Sequence, residues 1–390
     1  STFKTVQLDQ MVNMEKFKKC KEALRDRLKD LNELLNQHLY GHKPDASYED
    51  WLNRTMPFHW VSEFYEIMHN GGFDIIIGNP PYINISKINY IKKQDNFRSA
   101  DLYGYVIKRA IELLSYEGRH GFIVMHNLSF SNKFQDVRTI LIQPNRSLWF
   151  SFYSRIPSGL FSGDVRVRNC IYLLANNGSH LYTTTLHRWF TEQRDNLFTG
   201  LINYNIFKYK NVIPMLDNSV LQPLFENKVG DNIPLLEDRY NGGILYYKKV
   251  GYNFLSISSI QPNAYLPNGK DASQPELGEL RINTKYYDFF QLLCCGKLYM
   301  SKWLTYGDDF HVTKKDIEDF CFPFGKINNS DVNKLHQLYS LLVSELPNTQ
   351  QFKLNAGINI GTFNTAKLWH ITEKSDLIFL SYLCDNPNEI

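Results

Sequence analysis

The tetrapeptide Asn79-Pro80-Pro81-Tyr82 is the part of this 390-residue sequence whose residue types most directly imply chemistry. A side-chain amide oxygen beside a carbonyl aimed by proline can accept both hydrogens of one amino group. An exocyclic amine on a nucleobase is a weak nucleophile because its lone pair is delocalised into the ring. Accepting both hydrogens favours a pyramidal nitrogen whose lone pair points at an electrophilic carbon. Tyr82 adds a flat face on which such a ring can stack. A base inside a duplex cannot present its amino group to such a pocket and has to be flipped out. The four residues alone also permit an ordinary proline turn.

The elements around the tetrapeptide favour chemistry over a turn. Phe73 to Ile77 is a short apolar run ending at Gly78, the pattern of a buried strand whose carboxyl end leads into a loop. Helical spacing over Leu102 to Leu114, a strand over His120 to Met125, a helix over Phe134 to Leu141, and strands over Leu148 to Ser154 and Cys170 to Ala175 follow. This alternation predicts a mostly parallel sheet covered on both faces, with ligands at the carboxyl ends of its strands. Upstream, Phe17, Leu24, Leu28, Leu31 and Leu35 predict a long helix with one buried stripe, stopping in the loop-like run Gly41 to Tyr48. After about Gly200 the rhythm breaks into Tyr, Phe, Asn, Gly and Pro-rich text. There Gly243 to Tyr247 reads as a strand, Asn241-Gly242-Gly243 and Pro267-Asn268-Gly269 as turns, and Val332 to Leu346 as a helix.

Composition narrows the classes further. A hydrophobic content of 43% over 390 residues supports two packed domains. No apolar run is long enough to span a bilayer and no signal peptide is visible, so the sequence predicts a soluble, cytoplasmic protein. The six cysteines form no Cys-x-x-Cys pair and no zinc-ligand spacing, so no structural metal is expected. Net charge is +3, but residues 79 to 175 hold 13 Lys plus Arg against 6 Asp plus Glu. That excess could face phosphates or form a solvated basic surface.

The run Pro57-Phe58-His59-Trp60, Glu63-Phe64 and Gly71-Gly72-Phe73-Asp74-Ile75-Ile76-Ile77-Gly78-Asn79-Pro80-Pro81-Tyr82-Ile83 resembles the catalytic segment of DNA N6-adenine methyltransferases, within them the type IIG restriction-modification enzymes of prokaryotes. The resemblance extends from about Leu28 to Phe324. It implies an α/β fold, a partial Rossmann-like methyltransferase sheet with a second, mixed α+β DNA-recognition domain. Residues 1–70 would form a helical segment ending an insertion, 71–199 the catalytic half, and 200–390 the target recognition domain with C-terminal helices. By the same resemblance Asn79, Pro80, Pro81 and Tyr82 form the catalytic loop, and Asp101-Leu102-Tyr103 opens a helix near the S-adenosylmethionine and target pockets. Glu117-Gly118-Arg119-His120-Gly121 resembles the family's next turn and strand, with Glu117 where a glycine is usual. Phe161, in Gly159-Leu160-Phe161 before Val165-Arg166-Val167, would touch the flipped base opposite Tyr82; a core phenylalanine is the alternative. Gly307 to Ile317 resembles a stretch of the recognition region. Lys302, Trp303, Phe310, His311, Lys314 and Lys315 are candidate contacts to double-stranded DNA, against surface charge as the plain reading.

A donor pocket of this kind needs a strand, a glycine turn and an acidic residue. The residues before Asn79 show no such turn, so the sequence predicts a fragment that is inactive alone and completed by an upstream region or partner subunit, with apolar sheet edges exposed. Pro44-Asp45 with Glu49-Asp50-Trp51 lacks the lysine of a nuclease cluster. Two other functions remain open: methylation of RNA or a protein glutamine, and a DNA-specificity module without catalysis.

Overall fold

Leucines at helical spacing produce a 27-residue helix, Met14–Tyr40, in the computed structural model, which describes residues 14–41, 47–88, 96–161, 167–199, 204–205, 212–216, 242–318 and 321–384. The buried stripe expected of this helix is absent: Phe17, Leu28 and Leu35 are half-buried, while Leu24 and Leu31 are exposed. The reason is that the helix meets its neighbours through polar groups. Asn32 donates to Glu63 and accepts from the Ser62 hydroxyl, and Asn36 pairs with His59.

The Asn79 to Tyr82 segment is carried by a six-stranded sheet in the order β1-β2-β4-β3-β5-β6. Its strands are β1 (Phe73–Gly78), β2 (Leu114–Met125), β3 (Ser147–Tyr153), β4 (Asn169–Ala175), β5 (Leu181–His187) and β6 (Tyr204–Asn205). The sheet is mixed, which corrects the mostly parallel arrangement expected from the sequence. β1 and β2 run parallel, as do β3 and β5, but β4 enters antiparallel between β2 and β3, and β6 is antiparallel to β5. A parallel return needs a crossover, usually a helix. The residues between β3 and β4 carry Pro157 and Gly159 and no helical period, which suits an antiparallel return.

Coverage on both faces is also corrected among the described residues. Phe122 and Val124 of β2, Cys170, Tyr172 and Leu174 of β4, and Leu148, Phe150 and Phe152 of β3 join one cluster with Tyr103, Ile107 and Ala110 of helix Leu102–Leu113 and with Val137 and Leu141 of helix Gln135–Leu141. Each fully buried aromatic or aliphatic side chain here contributes on the order of 1.5–3 kcal/mol. The opposite face is open at β1 and mid-β4, where Ile75 and Ile77 are 66% and 77% exposed and Leu173 is exposed as well, but it is covered at Tyr153, which packs against Phe198. β2 is longer than expected because the Glu117-Gly118 turn is absorbed as an irregularity, where pairing with β1 jumps from Leu114 to Arg119. Glycine is required there, since a Cβ on Gly118 would lie 2.9 Å from the Phe73 carbonyl.

A second cluster runs from Leu245 to Leu380. It packs helices Tyr287–Cys295, Lys297–Tyr306, Asn329–Glu345 and Trp369–Ser381 with two three-stranded sheets. One sheet joins β7 (Gly243–Lys248), β8 (Ile257–Ser258) and β10 (Leu277–Ile282); the other joins β9 (Ala264–Tyr265), β11 (Gln350–Asn355) and β12 (Ile358–Phe363). The Pro267-Asn268-Gly269 turn forms with Gly269 at φ +80, whereas Asn241 lies outside the described residues. Asn328 caps helix Asn329–Glu345 by accepting from the Asp331 amide.

Asp376 caps the helix that starts after Gly296, accepting from the amides of Lys297 (2.8 Å) and Leu298 (3.2 Å). Burial nevertheless pushes its carboxyl up to about 7, against those two bonds and the Lys297 charge. A group protonated more readily in the folded state contributes stability that is complete below its unfolded value of about 4 and is lost as pH rises through its folded one. Denaturant unfolding between about pH 5 and pH 7 should therefore show the wild type losing up to ~1.4 kcal/mol per pH unit relative to Asp376→Asn, which keeps an acceptor without the charge. A difference independent of pH would contradict the burial of this carboxyl.

Candidate active site

The carboxyl end of β1 and its neighbours gather the chemically interesting residues along one edge of the sheet. β1 ends at Gly78 and β2 at Met125, while Asn169 opens β4 opposite both Met125 and Tyr153, and Tyr153 pairs with His187 at the end of β5. The start of an antiparallel strand thereby joins an edge otherwise made of strand ends.

The tetrapeptide leaves β1 in irregular extended backbone. Asn79 and Pro81 are exposed, Pro80 is buried, and Tyr82 is half-buried. The Tyr82 hydroxyl donates to the Ile123 carbonyl and accepts from the Asn169 amide, both at 3.1 Å. Burial raises this phenol far above its ordinary range, so it stays a neutral hydrogen-bonding anchor and cannot serve as a base near neutral pH. The ring meets Tyr103 edge to face at 6.2 Å.

Asp101, Leu102 and Tyr103 are drawn to the tetrapeptide by backbone bonds. Leu102 donates to Ile83 and Ile85 to Ala100, both at 2.8 Å, around an isolated bridge between Asn84 and Asp101. The Asp101 carboxyl is half-buried; burial raises its pKa, opposed by the Asn127 and Asn84 side chains and the Lys133 charge. Leu102 is half-buried. Tyr103 is fully buried, stacked on Phe134, with its hydroxyl 2.6 Å from the Asn127 oxygen. Its ring therefore supports Tyr82 from below and faces no open surface.

Phe161 lies half-buried in the loop between β3 and β4; Val165 and Arg166 lie outside the described residues. That loop is gripped by Arg194, which donates to the carbonyls of Leu160 (3.1 Å) and Gly159 (3.2 Å) while its guanidinium lies over Trp189. Among the described residues no ring contact joins Phe161 to Tyr82.

The candidate recognition residues divide. Lys314, Lys315 and His311 are exposed, and Lys302 is half-buried. Trp303 is a core residue, 2% exposed, whose indole donates to the His311 carbonyl at 3.1 Å, so it props that loop from within. Phe310 faces the six-stranded sheet, its ring under the guanidinium groups of Arg155 and Arg168. Asn169, Arg194 and Asp309 were not singled out in the sequence. Asn169 lies there just before the apolar strand that starts at Cys170, and Asp309 enters only as part of the Gly307 to Ile317 stretch that resembles a recognition region. No metal-binding group of His, Cys, Asp or Glu occurs among the described residues, and none of their helices is long and apolar enough to cross a membrane.

Residues 4–153 match the family of Eco57I restriction-modification methylases. A protein of Methanocaldococcus jannaschii assigned as a type II restriction enzyme and methyltransferase is 32% identical over 126 residues, 32% of this chain and 10% of that protein. The chain thus spans about a tenth of the length of this relative. Among solved structures, the type IIL restriction-modification enzyme MmeI in complex with DNA aligns at 11% identity and TM-score 0.46, covering 79% of this chain and 54% of that one. A DrdV–DNA complex aligns at 16% identity and TM-score 0.33 over 49% of this chain and 23% of that one. Both likenesses are too loose to build on. The sequence match ends just short of the loop bearing Phe161 and includes the whole Asn79 to Tyr82 segment, so residues 4–153 are similar to Eco57I restriction-modification methylases.

Proposed function

We propose that this chain supplies the catalytic loop and the DNA-reading part of a restriction-modification methyltransferase that transfers a methyl group to adenine N6. The observation that carries this reading is the tetrapeptide's setting: Asn79 is exposed at the sheet edge while Tyr82 beside it is pinned through its hydroxyl. S-adenosylmethionine supplies the electrophilic methyl group. Asn79 accepts one amino hydrogen of the flipped adenine and the Pro80 carbonyl the other, raising the nucleophilicity of nitrogen without a strong base. The buried Pro80 holds its carbonyl in place, and the anchored Tyr82 ring gives the base a stacking face that costs little ordering on binding. Phe161 is the second contact to the base, on the loop that Arg194 grips.

The donor is met only in part. Asp101 lies beside the tetrapeptide, but no glycine turn following a strand precedes Asn79 among the described residues, so no step is assigned to a donor cradle here. The cluster from Leu245 to Leu380 is the proposed recognition domain, with His311, Lys314 and Lys315 as exposed candidates for DNA contact. Its size favours DNA over a free protein or RNA substrate, because methylating a small exposed target requires no second domain of this extent.

Because the match covers a tenth of the relative, the assay compares the chain alone with a joined form that adds any residues encoded upstream of it. Labelled methyl transfer to duplex DNA, and its absence from RNA and protein, is the expected result for the joined form; transfer to RNA or protein alone would reject the reading. In that form Asn79→Ala should lower turnover by about 100-fold or more, as loss of a preorganised charge-stabilising group does, and an unchanged rate would remove Asn79 from the chemistry. Tyr82→Phe keeps the stacking face but leaves the Ile123 carbonyl and Asn169 amide without their partner. It should lower unfolding stability by ~1–3 kcal/mol while costing less turnover than Tyr82→Ala, measured side by side.

A further inference from the structure

The loop Gly307 to Val312 belongs by packing to the second cluster, since Gly251 donates to the Phe310 carbonyl and Val312 to that of Lys249. Its acidic pair nevertheless reaches the site edge of the sheet. Asp309 is completely buried and left-handed at φ +59. One carboxylate oxygen accepts from the Ser154 hydroxyl (2.8 Å) and from Arg168 Nε (3.3 Å); the other pairs with Arg188. The Asp309 carbonyl takes a further bond from Arg168 at 2.9 Å, and the Asp308 carbonyl accepts from His126 Nε2 at 3.2 Å. Burial lowers His126 to about 4, so at neutral pH the ring is uncharged and its Nε2–H serves this carbonyl.

The gripped residues are chain neighbours of the two that hold the aromatic pair. Arg168 precedes Asn169, which donates to Tyr82; His126 precedes Asn127, which accepts from Tyr103 beneath Tyr82. The backbones of the two gripped segments are themselves joined, His126 donating to the Arg168 carbonyl. Several directional, charge-assisted bonds around a fully buried carboxylate specify one arrangement far more strongly than they stabilise it.

On the reading above, we infer that Asp309 is a positioning residue that ties the DNA-reading domain to the Tyr82 corner, so that the placement of that domain and the shape of the base pocket are set together. Asp309→Asn tests this, because asparagine accepts the left-handed backbone and keeps the size while removing the charge shared by Arg168 and Arg188. In hydrogen exchange on the chain itself, the amides of Ile85, Leu102 and His126 should exchange about tenfold faster in this variant. In the joined, active form, single-turnover methyl transfer should fall by about 100-fold, as for a misplacement of about 1 Å, with the Kd for DNA within about threefold of wild type. A purely structural role would reduce the active fraction and leave the rate constant of the folded fraction unchanged. Should Asp309→Asn not fold, Ser154→Ala removes a single bond to the same carboxylate and should shift the same amides in the same direction. Exchange changes confined to Gly307 to Val312, or a wild-type rate constant, would overturn the inference. If the amides respond but no DNA is methylated even by the wild type, the tie stands and the proposed function fails.

Discussion

The site edge depends on how the start of β4 is held. A strand running antiparallel into the middle of the sheet brings Arg168 and Asn169 into buried positions, 7% and 1% exposed. An unpaired amide or guanidinium there would cost several kcal/mol, so each must find partners. Asn169 finds Tyr82 on one side and Arg168 finds Asp309 on the other. Although the Asn169 side-chain oxygen keeps no partner, the bonds that these two adjacent side chains do make hold the tetrapeptide on one flank of the strand start and the second cluster on its other.

The Asp309 seam illustrates why such contacts give order more than stability. Two arginines surround one carboxylate, and withdrawing these groups from water opposes most of their mutual attraction. Apolar residues of similar size would serve stability equally well, but they would not define a single orientation. Phe310, between Arg155 and Arg168, fills the seam and adds cation–π attraction, which is worth most where water is excluded. The Phe310 ring of this loop therefore faces inward, although its type suits a nucleic-acid surface equally well, while His311 beside it is exposed.

The first part of the chain was legible because its signals are local. The apolar run of β1, the proline pair after it and the helical spacing of Leu102–Leu113 are read from neighbouring residues, and the elements lie within a residue or so of where spacing puts them. β2 was misjudged by six residues because a strand irregularity at Glu117 and Gly118 carries the same residue types as a turn. The direction of β4 was missed because strand periodicity is the same for parallel and antiparallel neighbours; only the lack of a helical period in the sequence between Tyr153 and Asn169 distinguishes them. Trp303 was misread as a surface candidate because a basic neighbour at Lys302 says nothing of which side of its helix faces the core.

By itself the sequence determined the identity and order of the local elements, the rigid Asn79 to Tyr82 segment and the strand that presents it, because backbone preference and hydrophobic period act over a few residues. Tertiary structure decided which side chains meet across long separations. Tyr82 joins Asn169 across 87 residues and Arg168 joins Asp309 across 141, contacts chosen by burial and hydrogen-bond satisfaction after the sheet has closed. No spacing rule spans such distances, since they depend on strand order, on the direction of β4 and on which polar groups are left without water.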